Sequence, residues 1–345
     1  MAKIDIVLEE ATKRGASDLH VAAARPPFAR VKGELVALAD SALAAKEVEE
    51  LLIELLTPPQ RARLGVEQSV RFAHATASGR YRGEIVHALG GLRAAFRSIS
   101  PRVPALAELG CPEVVWRFAD RRSGLVIVSG PSGSGKSTTL AAMVDHVNKT
   151  RACHILTIEE PIELVHEAMR SQVTQREIGT HVPDAAVALR NATRENADVV
   201  LVSSLAKKDT LEEALRVANA GVLVLAGMRA NGVVPAVDCL LGLLDERGRS
   251  SFADVLGGVV AQQLVNGAPV HEVLTVTPAV TAALRANDMR ELSALLKNGQ
   301  GQGMIAMDAA LERLVKAGKL GAEVAWDLAA DKESFAQWVG RKETS

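Results

Sequence analysis

Residues 124–143 read Gly-Leu-Val-Ile-Val-Ser-Gly-Pro-Ser-Gly-Ser-Gly-Lys-Ser-Thr-Thr-Leu-Ala-Ala-Met. Within them, residues 130–137 are the full Gly-x-x-x-x-Gly-Lys-[Ser/Thr] phosphate-binding loop. The apolar run Leu125 to Val128 before it predicts a buried strand, and Thr138 to Asn148 after it predicts a helix. An ordinary Gly/Ser turn has no need of the Gly-Lys-Ser triplet, so this context reads as a nucleotide cradle. Gly133 and Gly135 permit backbone angles closed to other residues. The amides of Gly130, Ser132, Gly133, Ser134 and Gly135 and the helix start at Lys136, Ser137 and Thr138 then face the phosphates. Lys136 reaches the β- and γ-phosphates, and the Ser137 hydroxyl is a ligand for Mg²⁺. The motif implies ATP or GTP without distinguishing them. Whether the nucleotide is hydrolysed depends on residues further along.

Working outward, 345 residues predict two domains or one large one, and an apolar fraction of 48% is ample for real cores. The formal net charge of −1 supplies no global field toward nucleic acid or anionic lipid, although a local basic face stays open. An aromatic content of 3% argues against stacking platforms for single strands. Cys111, Cys153 and Cys239 form no metal pattern and read as small apolar residues in a reducing compartment. The first ten residues carry acids where a signal peptide needs an apolar core, and no uncharged run reaches membrane-spanning length. A soluble cytoplasmic protein is expected.

The N-terminal part predicts an amphipathic helix over 4–14, then strands at Leu19–Ala23, Phe28–Val31 and Leu35–Leu38. A helix at Lys46–Leu56 ends at Pro58-Pro59, a short one runs from Gln60, and strands follow at Ser69–Ala73, Arg80–Val86 and Leu92–Ile99. This reads as an α+β domain with an antiparallel sheet. The stretch 100–111 has prolines and no period, and reads as a linker. Beyond it, strands and helices alternate, which predicts a mainly parallel sheet with helices on both faces. In that alternation Ser171–Glu177 reads as a hairpin-like piece, and 278–331 as four short helices.

Several strings together carry a resemblance. They are Gly-Ala-Ser-Asp-Leu-His at 15–20, the stretch 124–143 quoted above, His-Ile-Leu-Thr-Ile-Glu-Glu-Pro-Ile-Glu at 154–163, Gln175-Arg176-Glu177, and Ala188-Leu189-Arg190. From about residue 4 to about residue 330 the chain resembles the type IV pilus retraction ATPases of the secretion ATPase superfamily. The resemblance implies an α/β fold in which a RecA-like P-loop ATPase core follows a smaller PAS-like α+β domain, with a helical C-terminal segment. The expected division is a PAS-like domain over 1–99, a linker over 100–111, the nucleotide-binding domain over 112–276, a helical segment over 277–331 and a polar tail over 332–345. Also implied are ATP and Mg²⁺, nucleotide held between two domains at a subunit boundary, and a homo-hexamer or a ring mixed with a paralogous pilus ATPase. The ring would lie on the cytoplasmic face of the inner membrane at the pilus base, against a platform protein, with no nucleic acid partner and no transmembrane segment.

Against the family pattern the chain keeps some elements and loses others. Glu159-Glu160-Pro161-Ile162-Glu163 corresponds to an acidic box whose first two residues are usually Glu-Asp. Glu159 and Glu163 are its candidate catalytic carboxylates, with Glu159 positioning water or holding Mg²⁺ through water. The family's Walker B strand ends in Gly-Glu and then Met-Arg-Asp; here Asp198 to Val202 ends in Ser203-Ser204 and then Leu205-Ala206-Lys207. Ser204 therefore stands where the family has its catalytic Glu, and loss of a general base costs about 10²–10⁴ in rate. Asp198 lies about 20 Å of extended chain away and is badly placed to substitute. Two family histidines are replaced by Val222 and Arg229; Arg229 meets a phosphate, a carboxylate or solvent. Arg80 and Arg82 align with basic strand positions that can reach a neighbouring subunit's γ-phosphate, the alternative being a solvated sheet face. Gln262 matches the family as a polar group near the phosphates. The family's Ala-Ile-Arg-Asn-Leu-Ile segment, linked to retraction, corresponds to Ala279-Val280-Thr281-Ala282-Ala283-Leu284, without its Arg-Asn pair. The expected function is an ATP-binding member with weak or lost hydrolysis and a regulatory or accessory role. The alternative is an active retraction motor using Glu159 as base.

Overall fold

The computed structural model describes residues 2–100, 102–329, 331, 332, 335 and 339. They form two units. One takes the chain up to Val103 together with Ile158–His166 and Gln175–Asp184; the other takes Pro104–Thr157, Glu167–Thr174 and the chain from Ala185 onward. The break at Val103 lies inside the stretch read as a linker. Pro104 onward belongs to the second unit because Leu106 is buried in its core and Cys111 packs against that core.

The first unit opens with α1 (Lys3–Lys13), β1 (Ala16–Ala22), β2 (Phe28–Val31) and β3 (Glu34–Ala37). Then come α2 (Ala45–Ile53), α3 (Pro58–Glu67), β4 (Ser69–Thr76), β5 (Gly79–Ala88) and β6 (Gly91–Ile99). Its six strands pair antiparallel in the order β3-β2-β1-β6-β5-β4, as the alternating pattern predicts. Helix α1 buries Ile4, Leu8 and Ala11, and α2 buries Val48, Leu51 and Leu52, spacings that put one stripe on the core. Beneath them Phe72 and Phe96 meet edge to face, ring centroids 6.0 Å apart.

The second unit starts with α4 (Glu113–Ala119), β7 (Gly124–Ser129), α5 (Lys136–Thr150) and β8 (His154–Glu159), whose last two residues group with the first unit. It continues through β9 (Gln172–Glu177), α6 (Ala185–Ala192), β10 (Val199–Val202), α7 (Lys208–Asn219) and β11 (Leu223–Met228). Helices α8 (Val233–Gly242) and α9 (Glu246–Val255) lead to β12 (Leu256–Val265) and β13 (Ala268–Thr275). Then come α10 (Pro278–Ala286), α11 (Met289–Asn298), α12 (Met307–Lys316) and α13 (Ala322–Leu328). The sheet order is β13-β12-β7-β11-β10-β8-β9. Strand β7 is buried along its whole length, which is why it reads as an unbroken apolar run. It lies parallel to β11 and β12, and β11 lies parallel to β10, so the C-terminal ends of these strands open at one edge.

The hairpin expected over 171–177 is instead the single edge strand β9, because that stretch contains no turn-forming pair. Residues 279–284 lie in α10 and bury Val280, Ala283 and Leu284, so losing the family's Arg-Asn pair leaves the packing intact. Apart from residues 332, 335 and 339, the tail expected over 332–345 lies outside the described residues. Among the described residues no helix is long and apolar enough to cross a membrane.

Candidate nucleotide site

Residues 130–135 join the end of β7 to the start of α5. Gly133 and Gly135 hold φ at +80° and +88°, the left-handed region that only glycine enters cheaply. Gly135 caps α5 without any side-chain acceptor, so the amides of the first turn point outward with their dipoles aligned. Gly130 lies against the Gln262 carbonyl and the Ser134 hydroxyl, where any side chain would collide. Ser132, Gly133 and Ser137 are exposed, Lys136 and Thr138 half-buried, and Ser134 buried. The Ser134 Oγ is a buried polar atom with no partner. The Lys136 ammonium donates to the Pro131 carbonyl at 2.7 Å, folding back over the loop. Its pKa lies below the ordinary lysine value, first through burial and then through the charge of Arg229. A loop of outward amides with a lysine in its mouth suits a polyphosphate. Among the described residues no cluster of acids, histidines and cysteines could hold a metal. At the loop, the exposed Ser137 hydroxyl would hold Mg²⁺ together with the nucleotide's own oxygens.

Gln262 is buried under the loop. Its Nε2 donates to the Ser134 carbonyl at 2.8 Å and its Oε1 accepts from the Thr139 hydroxyl at 2.6 Å. Sequence reasoning set this amide near the phosphates; the fold commits both of its ends to holding the loop. The reason is register: Ala261 pairs with Ser129, which brings Gln262 level with the loop's first glycine. Deeper in the unit, the Cys111 Sγ lies 3.8 Å from the His271 Nε2. Burial pushes the thiol up to about 12 and the imidazole down to about 4, so both stay neutral.

At the end of β10, Ser204 is exposed and its Oγ accepts from the Ala206 amide at 3.4 Å, a local turn. Asp198 accepts from the His154 amide at 2.8 Å, tying the start of β10 to β8. Val222 is buried.

The acidic box groups with the first unit. The Glu159 carboxylate accepts from the Gln175 Nε2 at 3.1 Å, and that nitrogen also donates to the Leu164 carbonyl at 2.9 Å. Glu160 pairs with Arg63 at 2.6 Å and Glu163 with Arg82 at 2.8 Å. Arg80 donates from Nε and Nη2 to the Ile162 carbonyl, at 3.1 and 2.7 Å. Both arginines proposed to reach a neighbour's phosphate are thus engaged with the chain's own acidic box. Arg63 and Gln175 are box-holding residues that sequence reasoning missed, since only the fold brings α3 and β9 to the box.

Comparison with known proteins places this geometry. Residues 1–275 match the family model described as type II/IV secretion system protein. The type IV pilus retraction ATPase PilT of Pseudomonas aeruginosa is 34% identical over 339 residues, covering 95% of this chain and 98% of that one. A twitching motility protein of Neisseria gonorrhoeae is 35% identical over 321 residues, covering 90% and 86%. The crystal structure of the pilus retraction motor PilT with bound ADP superposes with a TM-score of 0.85 at 32% identity, covering 97% and 99%. The family model spans both the loop and the acidic box, and the chain belongs to the type IV pilus retraction ATPase family of the type II/IV secretion system proteins.

Proposed function

We propose that this chain binds ATP with Mg²⁺ through its phosphate loop, turns it over slowly or not at all, and acts as a regulatory or accessory subunit of pilus retraction. The observation that carries the reading is the contrast between an intact loop and Ser204. The loop keeps its two left-handed glycines, its free helix start and Lys136. The position that should activate water holds a neutral hydroxyl turned to its own backbone. A serine at neutral pH neither takes a proton from water nor orients it by charge. ADP in the solved PilT structure supports an adenine nucleotide as the ligand. Assembly into a hexameric ring, homomeric or mixed with a paralogous ATPase, and docking against a platform protein at the cytoplasmic face of the inner membrane belong to the same proposal.

A second reading, an active motor with Glu159 as base, draws support from the hydrogen bond through which Gln175 orients that carboxylate. Titration calorimetry and steady-state hydrolysis on wild type, Lys136→Ala and Ser204→Glu separate the two. Binding without turnover, lost in Lys136→Ala, with hydrolysis rising at least about tenfold in Ser204→Glu, is expected. Robust wild-type turnover that Lys136→Ala abolishes would favour the motor.

A further inference from the structure

Arg229 follows the last residue of β11 at the rim of the phosphate loop. Met228 pairs with Ser129, and the Gly130 amide donates to the Met228 carbonyl at 3.3 Å, so Arg229 and the loop's first glycine leave adjacent strands side by side. The segment after Arg229 is pinned. The Asn231 Oδ1 accepts from the Gln263 Nε2 at 2.7 Å, the Gly232 carbonyl accepts from the Ser129 Oγ at 3.4 Å, and the Val233 amide donates to Glu272 at 2.7 Å. The Arg229 side chain is exposed at this rim, and no acid among the described residues pairs with it. Its charge is felt at the Lys136 ammonium. Two cations converging on one mouth repel until an anion lies between them. The neighbouring strand end offers no acid to neutralise the pair: residues 203–208 read Ser-Ser-Leu-Ala-Lys-Lys.

We infer that Arg229 contacts the terminal phosphate of a nucleoside triphosphate and makes this site select triphosphate over diphosphate. The inference rests on the loop being a nucleotide site, as proposed above. Lys136 reaches the β-phosphate that both ligands share as well as the γ-phosphate, whereas Arg229, one strand over, meets only the group that the triphosphate alone has. A guanidinium suits that task because it offers forked donors and never loses its charge.

The test is titration of the full chain with ATP, ADP, tripolyphosphate and pyrophosphate, using wild type, Arg229→Gln, Arg229→Lys and Lys136→Ala. Arg229→Gln is expected to weaken ATP and tripolyphosphate about tenfold while moving ADP and pyrophosphate less than about twofold. Arg229→Lys should recover most of the loss. Equal weakening of both ligand classes, or no change in either, overturns the assignment while leaving the nucleotide site standing. Lys136→Ala separates the two readings: unchanged binding there removes the nucleotide site itself, and the Arg229 assignment with it.

Discussion

Gln262 sits beneath the phosphate loop with both ends of its amide committed, one to the Ser134 carbonyl and one to the Thr139 hydroxyl. Replacing it by Leu leaves two buried polar groups without partners. Each costs roughly 1–3 kcal/mol, so Gln262→Leu should lower stability by about 2–6 kcal/mol and weaken nucleotide binding together. Urea melts and nucleotide titration of the same variant check this; a variant that loses affinity at full stability would make Gln262 a ligand contact and not a brace. Strand alternation assigns Gln262 a side but cannot reveal the loop above it. That required knowing that β12 neighbours β7 although about 130 residues separate them. Arg229 was open in the sequence for the same reason. An arginine after a strand meets solvent or phosphate depending on which strand lies alongside.

The three parallel strand ends of β7, β10 and β11 work as one element. Gly227 in β11 lies against the Ser203 carbonyl just past the end of β10, and its own carbonyl accepts from the Leu205 amide at 3.0 Å. A Cβ there would strike backbone, which cannot rotate away. Gly227→Ala should therefore splay the ends of β10 and β11 and cost about 1–3 kcal/mol. Thermal melts measure it, and an unchanged melting temperature would mean the two strand ends are looser than drawn. At this scale the sequence was highly legible. The predicted strand at Phe28–Val31 matches residue for residue, and the loop lies between strand and helix as its motif requires. The edge strand at Gln172–Glu177 was misread because polar edge strands lack the apolar run that marks a buried one.

Across the whole molecule, a buried polar pair sets a pH limit. His271 is held neutral by burial, titrating at about 4 against 6.5 when free. As pH falls below about 6.5 the unfolded chain takes up a proton that the folded chain refuses, so stability declines until about pH 4 and then levels. The decline from this group has a ceiling of roughly 3 kcal/mol. Urea melts at pH 7.5 and 5 should show it, with a shallower slope in His271→Gln; equal slopes would assign the loss to other groups. Chain order also hid how the units are composed, since 158–166 and 175–184 cluster with the N-terminal residues. Local chemistry was enough to identify the nucleotide cradle and the two sheet types. These depend on backbone freedom, ionisation and side-chain periodicity, which are properties of neighbouring residues. Which groups brace the loop, which arginines are already spent on the acidic box, and which one at the rim pairs with no acid among the described residues were decided by folding alone. Those contacts join residues up to 128 positions apart, and strand order, not local pattern, determines who meets whom.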